Sequence, residues 1–171
     1  SPSAILNAHL QTSASAVAPG KGILFGEHAI NRGQPAIAAS VGLYTRCSVS
    51  IPGSGSPLPR PQATCGIAFH SGTRRQVVTR SEVLALGLQV DAWRAAGNLE
   101  AIRQLKAGDF FAPQKYVLAC ALGENLPESL DLEWGSEIPS SSGLGSGGSA
   151  FTALVAALAA LRSPSASLVD R

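Results

Sequence analysis

Charged and aromatic side chains are both scarce in this 171-residue chain. Charged residues make up 14% of the sequence, aromatic residues make up 5%, and the formal net charge is only +2. The basic residues are scattered, so the basic stripe that marks a nucleic-acid-binding surface is missing. An apolar fraction of 45% nevertheless predicts one folded domain, whose core is built mainly from Ala, Val, Leu and Ile.

Long apolar runs and paired cysteines are missing as well. No segment approaches the ~20 apolar residues that span a bilayer, which predicts no membrane contact. Residues 1–15 lack the basic start and apolar run of a signal peptide, so we expect a loose N-terminal extension there. Cys47, Cys65 and Cys120 have neither CxxC spacing nor histidines at zinc-ligand intervals, which favours reduced thiols in a cytoplasmic protein.

The first half of the chain has the pattern of β-strands separated by turns. Strands are predicted at residues 14–18, 22–25, 36–41, 43–51, 63–70 and 75–78. The first two are expected to be separated by a Pro-Gly turn. In the fourth, Thr45, Cys47, Val49 and Ile51 alternate with Tyr44, Arg46, Ser48 and Ser50, so each set is predicted to share one face.

The second half changes to helical periodicity. Helices are predicted from a cap at Ser81 to 96, over 99–106, from Pro113 to 123, and over 149–161 with Phe151, Leu154, Val155, Leu158 and Leu161 packed inward. One further strand is predicted at 130–137, with Leu130, Leu132 and Trp134 on one face. Strands followed by helices and then by strand, loop and helix indicate an α+β domain.

Residues 139–149 form a Gly/Ser-rich segment between that strand and the last helix. Glycines allow backbone N–H groups to approach a ligand closely, and the N-terminus of a following helix favours a bound phosphate. A flexible connector is the plain alternative, but connectors seldom join two core elements directly. The segment therefore predicts a phosphate-binding loop.

Two other phosphate-binding motifs fit this segment less well. The Gly-Lys-Ser/Thr of a P-loop is missing. Gly143, Gly145 and Gly148 meet the Rossmann spacing, and Asp170 lies about twenty residues further on, where that motif has an acidic residue. Ser163-Pro164-Ser165 interrupts the chain, however, where the Rossmann fold needs its second strand to form.

Three ionisable residues flank the short predicted strand at 22–25. Lys21 precedes this strand, whereas Glu27 and His28 follow it. Taken singly, each is a residue type that solvated turns often carry. Together with a phosphate loop elsewhere in the chain, they predict a kinase site with a cation beside a reacting hydroxyl.

Both segments resemble motifs of one kinase superfamily. Pro19 to Ile30, followed by Gly33-Gln34-Pro35-Ala36-Ile37-Ala38, resembles the first motif of mevalonate kinases. Pro139 to Ala150 resembles the ATP phosphate loop of the superfamily that unites galactokinases, homoserine kinases, mevalonate kinases and phosphomevalonate kinases. Galactokinases share the Gly-Glu-His but have Arg where Lys21 stands, and an Asp soon after the His where this chain has Ala29-Ile30.

The resemblance implies a fold and a role for each site residue. The fold is a mixed sheet packed with helices on one side, as in the second domain of a small-subunit ribosomal protein. Lys21 resembles the catalytic lysine beside the attacking 5-hydroxyl of mevalonate, and Glu27 and His28 resemble residues of the substrate pocket. The ATP phosphates are implied to contact Pro139, Ser141, Ser142, Gly143, Leu144, Gly145, Ser146, Gly147, Gly148 and Ser149.

The resemblance has two departures. Gly147 stands where the family usually has a magnesium-binding serine, so Ser146 is expected to bind Mg²⁺ instead, with water or Ser149 as alternatives. The family's substrate-orienting aspartate, magnesium-binding glutamate and third Gly-rich motif have no counterpart in these residues. Residues 16–171 are therefore expected to be an ATP-binding kinase domain that is incomplete at its C-terminal end and inactive alone.

The expected activity is ATP-dependent phosphorylation of mevalonate at its 5-hydroxyl, in isoprenoid precursor synthesis, with ATP and Mg²⁺ as cofactors. Phosphomevalonate kinase or another superfamily kinase is an alternative, because Arg74, Arg75 and Arg80 are available for a substrate phosphate. An alternative of a different class is a non-catalytic nucleotide-binding or assembly module. The expected macromolecular partner is a second copy of the chain or the remaining C-terminal part of the same protein.

Overall fold

The computed structural model describes residues 12–52, 66–139 and 142–162. In these residues one mixed sheet has the strand order β1-β2-β5-β3-β4, and only the β3–β5 pair is parallel. The strands are β1 (Ser13–Phe25), β2 (Ile37–Ser50), β3 (Ile67–Ser71), β4 (Arg74–Val78) and β5 (Leu130–Ser136). The helices are α1 (Arg80–Ala95), α2 (Leu99–Gly108), α3 (Ala112–Leu122) and α4 (Ser146–Arg162). The expected α+β class is confirmed.

One face of the sheet is buried and the other is open. The buried side chains that strands and helices share include Cys47, Val49, Phe69, Leu118, Leu130, Leu132, Trp134, Leu154 and Leu158. Val17, Arg46 and Glu133 alternate with buried neighbours along their strands and are exposed. The alternation predicted for β2 and β5 therefore separates the core from solvent, as a half-buried strand requires.

Burial also decides the chemistry of the cysteines. Cys47 and Cys120 are both free thiols, and burial raises the pKa of the Cys47 thiol to about 12. Cys47 therefore remains protonated and acts as a small apolar core residue. Cys65 lies outside the described residues.

Two predicted breaks in the strands are wrong. β1 continues through Pro19 and Gly20, and the pairing register with β2 shifts at that point instead of turning. β2 likewise runs without a break through Gly42. A β-bulge absorbs the extra residues of β2, and an edge strand such as β1 tolerates proline. Ser13 already pairs with Ser50, so residues 13–15 belong to β1 rather than to the extension predicted over 1–15, and residues 1–11 lie outside the described residues.

The helices lie close to their predicted positions, with corrections at their N-termini. α1 is capped by Thr79 rather than Ser81. The Thr79 hydroxyl accepts the Glu82 N–H at 3.2 Å. The Glu82 carboxylate accepts the Thr79 N–H at 2.6 Å and the Thr79 hydroxyl at 2.9 Å, and these two bonds lower the pKa of Glu82. α4 begins at Ser146 rather than Ser149. The inward packing predicted for Val155 is wrong, because this residue is 51% exposed.

The start of α3 is held by an ion pair. Lys115 is 5% exposed as a residue, and its Nζ lies 2.6 Å from Asp109 Oδ2. Asp109 Oδ1 also accepts the Phe111 N–H at 3.0 Å. One carboxylate therefore neutralises a buried ammonium and fixes the backbone that enters α3. Within the described part of the chain, no helix has the length and apolar character needed to cross a bilayer.

Candidate functional site

β1 and β2 extend beyond the rest of the sheet as a two-stranded ribbon. β2 pairs with β5 only over Thr45–Ser50, whereas its residues from Ile37 to Val41 pair with β1 alone. The chain leaves β5 beside the base of this ribbon. There the Glu137 N–H donates to Tyr44 O at 2.9 Å, and the Glu137 carboxylate accepts the Tyr44 N–H at 3.0 Å. The Gly/Ser-rich loop therefore starts next to β1 and β2.

The loop is bonded directly to the predicted lysine. The Lys21 backbone N–H donates to Leu144 O at 2.9 Å. Gly145 has φ +72° and lies against the Lys21 side chain, so a β-carbon at Gly145 would come within 2.8 Å of Lys21 Cγ. Gly20 allows the same approach from the strand, because a β-carbon there would lie 2.8 Å from Leu144 O. Only glycine fits both positions, which places Lys21 beside the loop.

The N-terminus of α4 supplies unpaired hydrogen-bond donors next to Lys21. The first helical bond runs from the Ser149 N–H to Gly145 O at 3.0 Å, and the N–H groups of Ser146, Gly147 and Gly148 donate to no atom of the described residues. A β-carbon at Gly147 or Gly148 would meet nothing within 4 Å. Free amides, the positive end of the helix dipole and an adjacent ammonium together form a site for an anion such as a phosphate.

The loop hydroxyls fall into different environments. Ser142 Oγ accepts the Leu144 N–H at 3.4 Å, which shapes the loop backbone. The Ser146 side chain is half-buried and makes no hydrogen bond within the described residues. Ser149 is 4% exposed and its hydroxyl is bonded to Thr45, so this hydroxyl points to the core. Pro139 is exposed at the start of the loop, whereas Ser141 lies outside the described residues.

Glu27 and His28 lie further along the ribbon. Both are exposed in the turn that follows β1, where the Ile30 N–H donates to Gly26 O at 2.9 Å. At about 3.3 Å per strand residue, the end of β1 is about 13 Å from Lys21. Neither side chain forms a hydrogen bond or ion pair with Lys21 in the described part of the chain. The structure therefore joins Lys21 to the loop but not to these two residues.

Comparison with known families agrees with this geometry. Residues 114–170 match the N-terminal domain of the GHMP kinases, a stretch that includes the Gly/Ser-rich loop but not Lys21. This third of the chain is thus similar in sequence to a GHMP kinase N-terminal domain. No curated protein sequence matches the chain.

Solved structures are similar in fold over nearly the whole chain. A mevalonate kinase matches with TM-score 0.58 and 20% identity, covering 85% of this chain and 39% of its own. The mevalonate kinase of Methanococcus jannaschii matches with TM-score 0.59 and 19% identity, covering 89% and 40%. Lactococcus lactis galactokinase complexed with galactose matches with TM-score 0.51 and 16% identity, covering 90% and 35%. The chain thus spans two fifths or less of each protein, and the shared property is the fold.

The arginines considered for a substrate phosphate lie at the other edge of the sheet. β4 is separated from β1 by four inter-strand spacings, or about 19 Å. Arg80, just after β4, donates to Leu126 O at 2.7 Å and to the Glu124 carboxylate at 3.0 Å. Arg74 lies 4.1 Å above the Phe110 ring. Arg80 and Arg74 therefore have structural partners and are remote from Lys21.

The site also contains residues that sequence reasoning missed. The sequence pattern assigns Gly20 to a turn, although it provides the close contact between β1 and the loop. Ile138 is 5% exposed, and its Cδ1 lies 3.0 Å from the position of a β-carbon on Gly20. Thr45 is buried beneath the loop and bonded to Ser136 and Ser149. The available signal for Thr45 is a hydroxyl on the otherwise apolar face of β2.

Proposed function

We propose that this chain binds the phosphates of ATP and is the N-terminal part of a GHMP-type kinase that phosphorylates mevalonate at its 5-hydroxyl. The observation that carries the proposal is the hydrogen bond from the Lys21 N–H to Leu144 O, with Gly145 packed on the Lys21 side chain. This contact puts a cation beside a helix N-terminus with unpaired amides. Phosphoryl transfer needs mainly this kind of positioning and charge neutralisation.

The amides of Ser146, Gly147 and Gly148 are proposed to bind the β- and γ-phosphate oxygens. They are free within the described residues, and the two glycines leave open space in front of the backbone. Gly143 has φ +73°, and a β-carbon there would meet nothing within 4 Å, so the outer side of the loop is also open. Backbone donors of this kind are already oriented before the ligand arrives, which lowers the free-energy cost of binding.

Lys21 is proposed to neutralise charge on the transferred phosphoryl group and on the attacking oxygen. In that reaction the 5-hydroxyl oxygen forms a bond to the γ-phosphorus, the bond from that phosphorus to the bridging oxygen breaks, and ADP and a proton leave. The Lys21 ammonium is exposed and makes no ion pair within the described residues. It is therefore available to a ligand. Glu27 and His28 remain in the proposal as substrate-side residues further along the same ribbon.

The described residues fit a magnesium ion in one limited way. They contain no cluster of three His, Cys, Asp or Glu side chains. Mg²⁺ bound with a nucleotide commonly uses phosphate oxygens and water, with few protein ligands. The uncommitted Ser146 hydroxyl at the start of α4 suits this role, whereas the Ser149 hydroxyl is occupied by Thr45. We propose Ser146 as the protein ligand of this chain, with magnesium supplying additional charge neutralisation when bound.

Mevalonate is proposed as the substrate for two reasons. Lys21 and the Ala29-Ile30 pair follow the mevalonate kinase motif, where galactokinases have arginine and aspartate. The arginines that would favour a phosphorylated substrate lie about 19 Å away across the sheet. The free thiols of Cys47 and Cys120 support the cytoplasmic location expected of such an enzyme.

Phosphoryl transfer by the complete gene product tests the proposal. Purified enzyme is incubated with labelled ATP and with mevalonate, 5-phosphomevalonate or galactose in turn. We expect phosphorylation of mevalonate, with at least tenfold lower kcat/KM for the other two acceptors. Transfer to 5-phosphomevalonate but not to mevalonate would contradict the proposed substrate. ATP binding without transfer to any of the three acceptors would favour a non-catalytic nucleotide-binding module instead.

A further inference from the structure

Five polar groups form a continuous hydrogen-bond chain beneath the loop. The Ile138 N–H donates to Ser136 Oγ at 3.2 Å, Ser136 Oγ lies 2.8 Å from Thr45 Oγ1, and Thr45 Oγ1 lies 2.7 Å from Ser149 Oγ. Ser149 Oγ in turn donates to Ser146 O at 3.1 Å. Thr45 is 2% exposed and Ser149 is 4% exposed. The centre of this hydrogen-bond chain is therefore shielded from water.

The number of protons fixes the direction of this chain. Each hydroxyl has one proton to donate, and the Ser149 proton is used on Ser146 O. Ser149 Oγ must then accept from Thr45, and Thr45 Oγ1 must accept from Ser136. All the bonds run in one direction, from the Ile138 N–H to the Ser146 carbonyl. Aligned hydrogen bonds in a buried site polarise and strengthen one another.

The hydrogen-bond chain joins the two ends of the loop between β5 and α4. Ile138 lies two residues after the end of β5, and Ser146 is the first residue of α4. Between them lies Gly145, which approaches Lys21. Thr45 sits on β2 and is the link that joins the exit of β5 to the start of α4. Without its hydroxyl, the Ser136 and Ser149 hydroxyls would each lose a partner, and the Ser149 hydroxyl would lose it in a water-excluded place.

We propose that Thr45 is a positioning residue, which sets the nucleotide affinity of the loop without touching the nucleotide. It does so by fixing the distance between the two ends of the loop, so that the Ser146, Gly147 and Gly148 amides all point toward the nucleotide phosphates. This inference rests on the proposed function, because it assumes that the loop binds nucleotide phosphates. Removing the hydroxyl releases both ends at once, so the amides lose their common orientation.

The test compares Thr45→Val with the wild-type chain by calorimetric titration with ATP. Valine keeps the shape of threonine and removes only the hydroxyl. We expect ATP affinity to fall about tenfold, the size of effect produced by about 1.4 kcal/mol. We also expect faster hydrogen exchange at the Ser149 and Glu137 amides, which bond at the two ends of the loop.

Three control variants separate positioning from general destabilisation. Thr45→Ser keeps the hydroxyl and should restore ATP affinity to within about twofold of wild type, a margin below about 0.5 kcal/mol. Cys47→Ala removes a fully buried side chain from the same face of β2, two residues from Thr45, and should lower the melting temperature without changing ATP affinity. Ser136→Ala interrupts the hydrogen-bond chain at a more exposed residue. It should weaken ATP binding, and it replaces Thr45→Val in the test if that variant does not fold.

The outcomes distinguish this inference from the proposed function. If the wild-type chain does not bind ATP, the proposed function fails. If the wild-type chain binds and Thr45→Val or Ser136→Ala binds equally well, the positioning role is wrong. Equal loss of affinity in Cys47→Ala would also overturn it, because the effect would then follow overall stability.

Discussion

Lys21→Met in the complete gene product should lower kcat by a factor of about 10² to 10³ while changing the dissociation constant of ATP less than about fivefold. Methionine has similar length but no charge, so it removes the ammonium that neutralises the developing oxyanion. Removing one pre-oriented donor of this kind usually costs about 2.7–4 kcal/mol in the transition state. The ATP phosphates retain the backbone amides of α4, which is why binding is expected to persist. Steady-state kinetics and calorimetry measure the two effects separately.

Two controls accompany this variant. Lys21→Arg keeps the charge but changes its geometry, so its kcat is expected to lie between that of wild type and that of Lys21→Met. Lys106→Met removes another lysine, on α2, and should leave kcat unchanged. The melting temperature of Lys21→Met should match wild type, because the Lys21 contact with Leu144 uses its backbone N–H. A kcat that is unchanged, or a chain that no longer folds, would contradict a catalytic role for the side chain.

Gly145→Ala should reduce kcat about 10²-fold, because a β-carbon at this position meets Lys21 Cγ at 2.8 Å. The lysine must then move, and a displacement of about 1 Å at a reacting group is enough for a loss of this size. Gly145→Ala should also lower the stability of the fold, for a separate reason: Gly145 has φ +72°. An alanine in that conformation costs about 1–2 kcal/mol of stability whatever its neighbours are.

Gly143→Ala is the matched control for this variant. Gly143 has φ +73°, almost the same as Gly145, but a β-carbon there meets nothing within 4 Å. The two substitutions should therefore lower the melting temperature by similar amounts, while kcat falls less than about tenfold in Gly143→Ala. Equal losses of kcat in the two variants would show that backbone strain, rather than contact with Lys21, is responsible.

Local patterns in the sequence predict most of the fold. Alternation locates β5, with Leu130, Leu132 and Trp134 on its buried face, and the strands predicted at 63–70 and 75–78 overlap β3 and β4. Pro113 marks the start of α3. These features depend on neighbours a few residues apart, which is the distance over which periodicity and capping act.

The errors arise where distant residues decide the local conformation. Pro19-Gly20 has the composition of a turn, but pairing with β2 keeps β1 extended through both residues. Ser146 has a loop-like sequence context, although α4 begins there. The first turn of α4 is stabilised by Thr45, which lies on β2. Tertiary contacts of this kind are invisible to a local pattern.

In the candidate site, too, the sequence predicts some features, and only the fold shows the others. The composition of the loop indicates phosphate binding, and the family resemblance singles out Lys21. The bond that joins them, from the Lys21 N–H to Leu144 O, links segments far apart in the sequence. The sequence does not reveal the polar role of Thr45, because its alternation with Tyr44 and Arg46 indicates only that these residues lie on the opposite face of β2. A hydroxyl on a buried face needs a partner, and only the fold identifies Ser136 and Ser149.

The central claim is that the N-terminus of α4 binds nucleotide phosphates beside Lys21. Its most direct test is an NMR titration of the ¹⁵N-labelled chain with ATP, with adenosine as the matched ligand that lacks phosphates. We expect ATP to shift the amide resonances of Ser146, Gly147 and Gly148 and of Lys21, and adenosine to leave them in place. If ATP moves none of these resonances, or if adenosine moves them equally, the loop is not a phosphate site.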